Sequence, residues 1–324
     1  MKAVQLNKSK ELFIGKYPIP EIGENDLLVK VQATAINRAD LLQKHGQYPV
    51  PKGASPILGL EMSGTVEKIG PKVTDYQIGD RVCGLLPGGG YAEYVSIPSE
   101  LAISIPSHLS FEEAAAIPEV FLTAYLNLFE LGKLKENETV LIHAGASGVG
   151  TAAIQLAKEF GATSIVTAGS DEKLDACSKL GADHLINYKN EDFATEVEKI
   201  TNQVGADVIL DFVGASYFHQ NLKSLNINGR LILIGTMGGV KVNDLNLLPL
   251  LTKRISIVGS TLRSQTLSQK IHLTKQFKKN VLPLFHSQKV APVIDSVMSW
   301  NEANEAHLRM ESNLNIGKIV LKID

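Results

Sequence analysis

Six short apolar runs alternate with helix-patterned stretches between residues 139 and 260, and the first, "TVLIH", leads directly through "AGASGVG" into the helical "TAAIQLAKEF". The runs cover 139–145, 164–169, 184–188, 207–214, 230–235 and 255–260. Apolar strands alternating with amphipathic helices predict a parallel sheet covered on both faces, and six of them complete a dinucleotide-binding sheet. Gly145, Gly148 and Gly150 are spaced GxxGxG. Glycine there permits a sharp turn, close approach of backbone N–H groups to a pyrophosphate, and tight packing of helix on sheet. A ligand-free turn is the plain alternative, but the position after the first of six strands favours a nucleotide. His143, inside that first strand, reads as a hydrogen-bonded core residue rather than a catalyst.

The choice of nucleotide turns on the end of the second strand, where an NAD site usually carries Asp or Glu. Here "SIVTAGSDEK" places Ala168, Gly169 and Ser170 at that point. These small residues leave room for a 2'-phosphate; Ser170 offers a hydrogen bond at a helix N-terminus and Lys173 a point charge one turn on. Ser170 is also a good N-cap, and Asp171 and Glu172 oppose the charge argument. The balance predicts NADPH rather than NADH.

Residues before about 118 read differently, as short β-type runs broken by Gly, Pro and Asn, such as "LLVKVQATAI", "GTVEKIG" and "DRVCGLL". This predicts a small irregular β domain. A helix is expected over 266–287, and "GKIVLKI" (317–323) is expected to be a strand returning to the first domain. With 324 residues, two domains are the natural reading. Lys plus Arg (32) nearly balances Asp plus Glu (34), so no nucleic-acid partner is expected, and "KQFKK" (275–279) reads as a solvated helix face. Cys83 and Cys177 form no CxxC pair, which suggests a reducing compartment. No apolar run is long enough for a membrane span and the first residues lack a secretory pattern, so the expectation is a cytoplasmic protein.

The stretches "NRADLLQKHGQYP", "LGLEMSGTVEKIG", "LLPGGGYAEYV", "LIHAGASGVGTAAIQLAK" and "TAGSDEKL" resemble the quinone oxidoreductase (zeta-crystallin-like) branch of the medium-chain dehydrogenase/reductase superfamily, over nearly the entire chain. The resemblance implies an α/β architecture, a GroES-like β domain plus a Rossmann doubly wound parallel-sheet domain, with the cofactor in the cleft between them and a homodimer formed through the Rossmann sheets. The implied division is 1–119 for the first part of the GroES-like catalytic domain, 120–262 for the NADPH-binding domain, and 263–324 for the return. It puts Ser147, Gly148 and Val149 at the pyrophosphate, and Gly169, Ser170, Lys173 and Tyr188 at the 2'-phosphate end. It also implies Thr123, Gly235, Thr236, Met237, Ser260, Thr261 and Leu262 near the nicotinamide, and Asn313 as a polar cofactor contact.

Zinc-dependent members of that superfamily carry Cys at an early position and His in "GHE". This chain has "NRAD" (37–40) and "GLE" (59–61) instead, so no metal is expected. Without a Lewis acid, the acceptor must bring its own electron demand, as a quinone or a conjugated enal or enone does. The resemblance places Asn37 and Tyr48 best to touch it; their structural readings are a turn-securing amide and a ring packed on prolines. Cys83 reads as buried filler. The expected function is metal-independent transfer of hydride from NADPH to a quinone. The alternatives are reduction of an activated C=C bond in an enal, enone or enoyl thioester, and a crystallin-like or RNA-binding role.

Overall fold

In the computed structural model, which describes residues 1–324, the first third of the chain forms β1 (Lys2–Leu6), β2 (Leu12–Lys16), β3 (Asp26–Ala35), α1 (Arg38–Lys44), β4 (Glu61–Ile69), β5 (Arg81–Leu85), β6 (Tyr94–Pro98), β7 (Ala102–Ser104), α2 (Phe111–Ala115) and α3 (Pro118–Tyr125). The middle forms β8 (Thr139–Ile142), α4 (Gly148–Glu159), β9 (Thr163–Ala168), α5 (Asp171–Lys179), β10 (His184–Asn187), α6 (Phe193–Ile200), β11 (Ala206–Asp211), α7 (Phe218–Ser224), β12 (Leu225–Leu233), α8 (Leu248–Thr252) and β13 (Ser256–Gly259). The tail forms α9 (Leu267–Asn280), α10 (Leu282–His286), β14 (Ile294–Ser299), α11 (Ala303–Glu311) and β15 (Lys318–Lys322). The chain divides into two units, 1–122 with 263–324, and 123–262.

The second unit holds a six-stranded parallel sheet in the order β10-β9-β8-β11-β12-β13. Consecutive residues Val140, Leu141 and Ile142, and likewise Val208, Ile209 and Leu210, are fully buried. Successive side chains point to opposite faces, so both faces are covered, and this is why the strands read as unbroken apolar runs. The chain runs β8, β9, β10 to one side and returns to β11 on the other side of β8, which puts the crossover point of the sheet at β8. Two expected strands end early. The run 139–145 stops being strand at Ile142, because Ala144 takes a left-handed φ of 50°, and the run 207–214 stops at Asp211.

The first unit is built on a sheet ordered β14-β15-β3-β4-β5-β7, with β6 also paired to β3. Leu27, Val29 and Val31 of β3 pack with Met62 and Val66 of β4, Val82 of β5, and Ile319 and Leu321 of β15 in one buried cluster. The expected return strand is β15, which lies antiparallel on β3 with Val320 opposite Ala35. The sequence did not announce β14, which is only partly buried along its length and lacks alternation. The single helix expected over 266–287 is two: the chain turns at Val281 (φ −111°), and Pro283, which has no N–H to continue a helix, sits in the first turn of α10. No helix is long and apolar enough to cross a membrane.

Candidate active site

In the second unit the carboxyl ends of the strands carry most of the expected cofactor residues. After β8, Gly145 donates its N–H to the Thr167 carbonyl at 3.0 Å, and a Cβ added there would collide with Val166 Cγ1. Ser147 is the N-cap of α4, its hydroxyl accepting the Gly150 N–H at 3.0 Å. A Cβ on Gly150 would lie 2.5 Å from both the Ala144 and Gly145 carbonyl oxygens, so the helix starts closer to the strand than any side chain allows. The N–H groups of Gly148 and Val149 fall in the first turn of a twelve-residue helix, where backbone donors have no intrahelical acceptor and the dipole favours an anion. This cradle fits a pyrophosphate.

Past β9, a Cβ on Gly169 would meet the Tyr188 hydroxyl at 2.6 Å, so the ring of Tyr188 rests where only glycine leaves room. Ser170 is the N-cap of α5. The acidic neighbour Asp171 is engaged, accepting the Asn187 side-chain N–H at 3.0 Å. The structure thus brings Gly169, Ser170, Lys173 and Tyr188 to one corner of the sheet. Gly235 to Met237 follow β12 and fold onto the turn after β11, where Met237 N–H donates to the Phe212 carbonyl at 3.2 Å. Ser260 begins the turn after β13, donating its N–H to the Leu233 carbonyl at 2.9 Å, with Thr261 and buried Leu262 following. Thr123 lies in α3 and accepts the Asn127 side-chain N–H at its carbonyl, 2.7 Å away. Asn313 belongs to the first unit, where its side-chain oxygen accepts from Arg38 Nη2 at 2.6 Å.

His143 is buried in a directional hydrogen-bond chain. Asn221 donates its amide N–H to Asp211 Oδ2 at 3.0 Å, which fixes its carbonyl oxygen toward His143 Nε2 at 2.8 Å. Nε2 therefore carries the proton, and Nδ1 accepts from the Thr167 hydroxyl at 2.9 Å. Burial lowers the imidazole pKa to about 4, so the ring is neutral. The chain ends at Asp211 Oδ1, which accepts the N–H groups of Val213 and Gly214 at 2.7 and 3.0 Å and so sets the turn after β11.

The first unit carries a buried ionic network of its own. Lys318 opens β15 beside the end of β3, 3% exposed, and spends all three N–H groups: on the Ile36 carbonyl at 2.9 Å, Asn37 Oδ1 at 2.6 Å and Glu61 Oε1 at 2.8 Å. Asn37 donates through Nδ2 to Glu61 Oε1 at 2.8 Å and to the Ala35 carbonyl at 3.3 Å. Glu61 Oε2 accepts the Glu119 N–H at 2.8 Å. Both donors of the Asn37 amide are therefore committed within the protein. Leu60, at the second of the two positions where zinc relatives place ligands, is buried hydrocarbon. Asp40 accepts the N–H groups of Asn37 and Gly59 at 2.8 and 2.9 Å, yet burial raises its pKa to about 6.

Beside this network stand Tyr48, Arg263, Glu119 and Lys270, coupled through their charges. Burial, followed by the negative charge of Glu119, raises the Tyr48 pKa, so its half-buried hydroxyl is a proton donor at neutral pH. Burial, reinforced by Glu61, pushes the Glu119 carboxyl up to about 8. Folded protein then holds a proton that unfolded chain releases, so the contribution of Glu119 to stability is complete below the ordinary carboxyl range and is lost as pH rises through about 8. Glu119→Gln should be more stable than the parent by a margin that grows by about 4 kcal/mol between pH 5 and pH 9 in denaturant unfolding. A margin independent of pH would remove the raised carboxyl.

Sequence reasoning did not single out Lys318, Glu61, Arg263 or Glu119. A signal was present for two of them: a lysine within "GKIVLKI" and a glutamate within "LGLEMSG" are charges in apolar strands, which must find partners when buried. Cys83 is buried, and its thiol is pushed up to about 12 by that burial, in keeping with filler rather than nucleophile.

Residues 23–107 match the family described as "Alcohol dehydrogenase GroES-like domain" and residues 148–286 the one described as "Zinc-binding dehydrogenase". A synaptic vesicle membrane protein VAT-1 homolog of Danio rerio is 34% identical over 93% of this chain, which spans 65% of that protein's length. The human VAT-1 homolog-like protein is 32% identical over 98% of the chain and 78% of its own length. Among solved structures, a quinone oxidoreductase of Pseudomonas syringae pv. Tomato DC3000 aligns with TM-score 0.86 at 28% identity, covering 99% of this chain and 98% of that one. The CurK enoyl reductase aligns with TM-score 0.88 at 28% identity, covering 100% and 99%. A mycobacterial protein complexed with NADPH gives TM-score 0.88 at 28% identity, covering 99% and 100%. With a GroES-like domain, a pyridine-nucleotide-binding Rossmann sheet and these relatives along its whole length, the chain belongs to the medium-chain dehydrogenase/reductase superfamily, in its quinone oxidoreductase-like branch.

Proposed function

We propose that this oxidoreductase uses NADPH to reduce an electron-poor acceptor, a quinone, without a catalytic metal. The observation that carries the reading is the donor set in the first unit. Where zinc relatives place ligands, Asn37 is tied to Lys318 and Glu61, and Leu60 offers no donor atom. Such a site polarises a substrate only through hydrogen bonds, so an acceptor with intrinsic electron demand suits it. Tyr48 supplies a hydroxyl to the acceptor, and Asn37 supports the site through Glu61 and Lys318 rather than by direct donation.

NADPH, when bound, supplies the hydride. On the protein's side, the first turn of α4 receives the pyrophosphate, and Ser170, Lys173 and Tyr188 receive the 2'-phosphate where an NAD site would carry an acid. The resemblance to the protein complexed with NADPH supports that choice. Lys173→Glu should weaken NADPH binding at least about tenfold more than NADH binding in calorimetric titrations, since a charge reversal opposite a phosphate costs roughly a kcal/mol or more. Equal losses would remove Lys173 from the phosphate site.

The structural likeness to an enoyl reductase favours a second reading, reduction of a conjugated C=C bond. Comparing NADPH oxidation with 1,4-benzoquinone, 9,10-phenanthrenequinone, a 2-alkenal and crotonyl-CoA separates the two, and a large preference for the last two would overturn the quinone reading. We further propose a homodimer through the edge strand β13. Its Ile257 is 37% exposed, and the preceding segment exposes Val240, Leu247, Leu248 and Leu251.

A further inference from the structure

After Lys318, Arg263 is the most deeply buried cation of the first unit. It is 6% exposed. Nε donates to the Pro87 carbonyl at 3.0 Å, and Nη2 donates to the same carbonyl at 2.8 Å and to Gln43 Oε1 at 2.7 Å. The guanidinium carbon lies 5.2 Å from the centroid of the Tyr48 ring. The backbone carbonyl of Arg263 accepts Lys270 Nζ at 2.7 Å, which fixes the residue from behind. Every part of the side chain is thus held except Nη1, which is buried and has no hydrogen-bond partner.

A buried donor on a charged group left unpaired costs about 1–3 kcal/mol or more. The missing partner is an oxygen atom, because guanidinium N–H groups are donors only. Tyr48, the ring against this guanidinium, carries a hydroxyl for which a substrate role is already proposed above. It lies between Gly46 (φ 77°) and Gly53 (φ 83°), and around neither would an added Cβ meet another atom within 4 Å. Those two open, left-handed glycines give the segment room to shift and admit a ligand to Nη1.

We propose that Arg263 is a catalytic residue of this reductase, its Nη1 group donating to the acceptor oxygen on which negative charge develops. The assignment rests on the hydride-transfer reading given above. When hydride from NADPH adds to a quinone or to the β-carbon of an enone, the π electrons of the acceptor move onto its carbonyl oxygen, giving a quinol anion or an enolate. One proton, from the Tyr48 hydroxyl or from solvent, then completes the reduced product. Arg263 does for that oxygen what a bound metal ion does elsewhere: it meets the charge as it forms, with a donor already in place. Because the charge exists only after transfer begins, the guanidinium acts on turnover rather than on ground-state affinity for a neutral acceptor.

Arg263→Gln should lower kcat about 100-fold while moving the acceptor KM less than about threefold, and the loss should be larger for a 2-alkenal than for 1,4-benzoquinone. A titration without NADPH reads the same contact independently. The phenolate of 4-nitrophenol, followed by its absorbance, should bind the parent protein at least about tenfold more tightly than Arg263→Gln. Unchanged NADPH affinity and an unchanged unfolding midpoint would show that the variant is otherwise intact. The proposal is overturned if this intact variant keeps kcat within twofold of the parent, or binds the phenolate equally well. Should Arg263→Gln not fold, Arg263→Lys is judged on the same two readouts, with smaller losses expected because the charge survives without the fork of donors. If the parent protein reduces no acceptor, the functional reading fails, and the phenolate titration alone decides the role of Arg263.

Discussion

Lys318→Met should destabilise the protein by about 3–5 kcal/mol, the usual consequence of removing one partner from a buried ion pair. The side chains of Lys318 and Glu61 are 3% and 0% exposed and sit 2.8 Å apart. Without the ammonium, Glu61 keeps its charge in the interior with only N–H donors from Asn37 and Glu119, and the Ile36 carbonyl and Asn37 Oδ1 lose a donor each. Adding Glu61→Gln to the variant removes the stranded charge, keeps one acceptor oxygen and brings an amide N–H in place of the lost ammonium donor, so the double variant should be more stable than Lys318→Met alone. Urea unfolding of the two variants and the parent checks both statements. A loss below about 1 kcal/mol for Lys318→Met would mean that the pair is solvated like a surface salt bridge.

Gly150→Ala should be nearly as damaging by a different route. Its new Cβ would lie 2.5 Å from the Ala144 and Gly145 carbonyl oxygens. Both are backbone atoms of the turn after β8, and that turn is pinned by the Gly145 N–H to Thr167 hydrogen bond. The start of α4 must therefore move away from β8, at a cost typical of overpacking, about 1–3 kcal/mol. The displaced first turn no longer presents the Gly148 and Val149 donors to a pyrophosphate. Calorimetry should show NADPH and NADH weakened together, by at least about tenfold. That equal loss distinguishes Gly150→Ala from Lys173→Glu, whose effect should fall on the phosphorylated nucleotide. Unaltered affinity for both would place the pyrophosphate elsewhere.

The sequence was most informative where local chemistry and burial agree. The six parallel strands were legible because each is buried on both faces and stands out as an apolar run, and the turn after β8 because its glycines sit between strand and helix. Their ends were less so. Ala144, an alanine in left-handed backbone, gives no compositional sign that the strand has already stopped. Pro283 did carry such a sign, and an unbroken helix over 266–287 overlooked it.

The ionic network was hidden for a different reason. Lys318 and Asn37 lie 281 residues apart in sequence, so no window that reads one contains the other. Asn37 was legible as a candidate, but its engagement by Lys318 and Glu61 was not. Arg263 and Tyr48 are likewise remote in sequence. Long side chains of this kind declare a role only when the fold shows which of their donors are already spent.

The seat of β15 against β3 bears on the order in which the polypeptide acquires its shape. The nucleotide-binding sheet is drawn from one continuous stretch, so it can assemble as soon as that stretch leaves the ribosome. The other sheet cannot close early, because its β3 must wait for a partner synthesised after the whole of the second unit, with Lys318 arriving to neutralise Glu61. Until then that half has an uncovered strand edge at β3 and no cation for Glu61, so its sheet closes last.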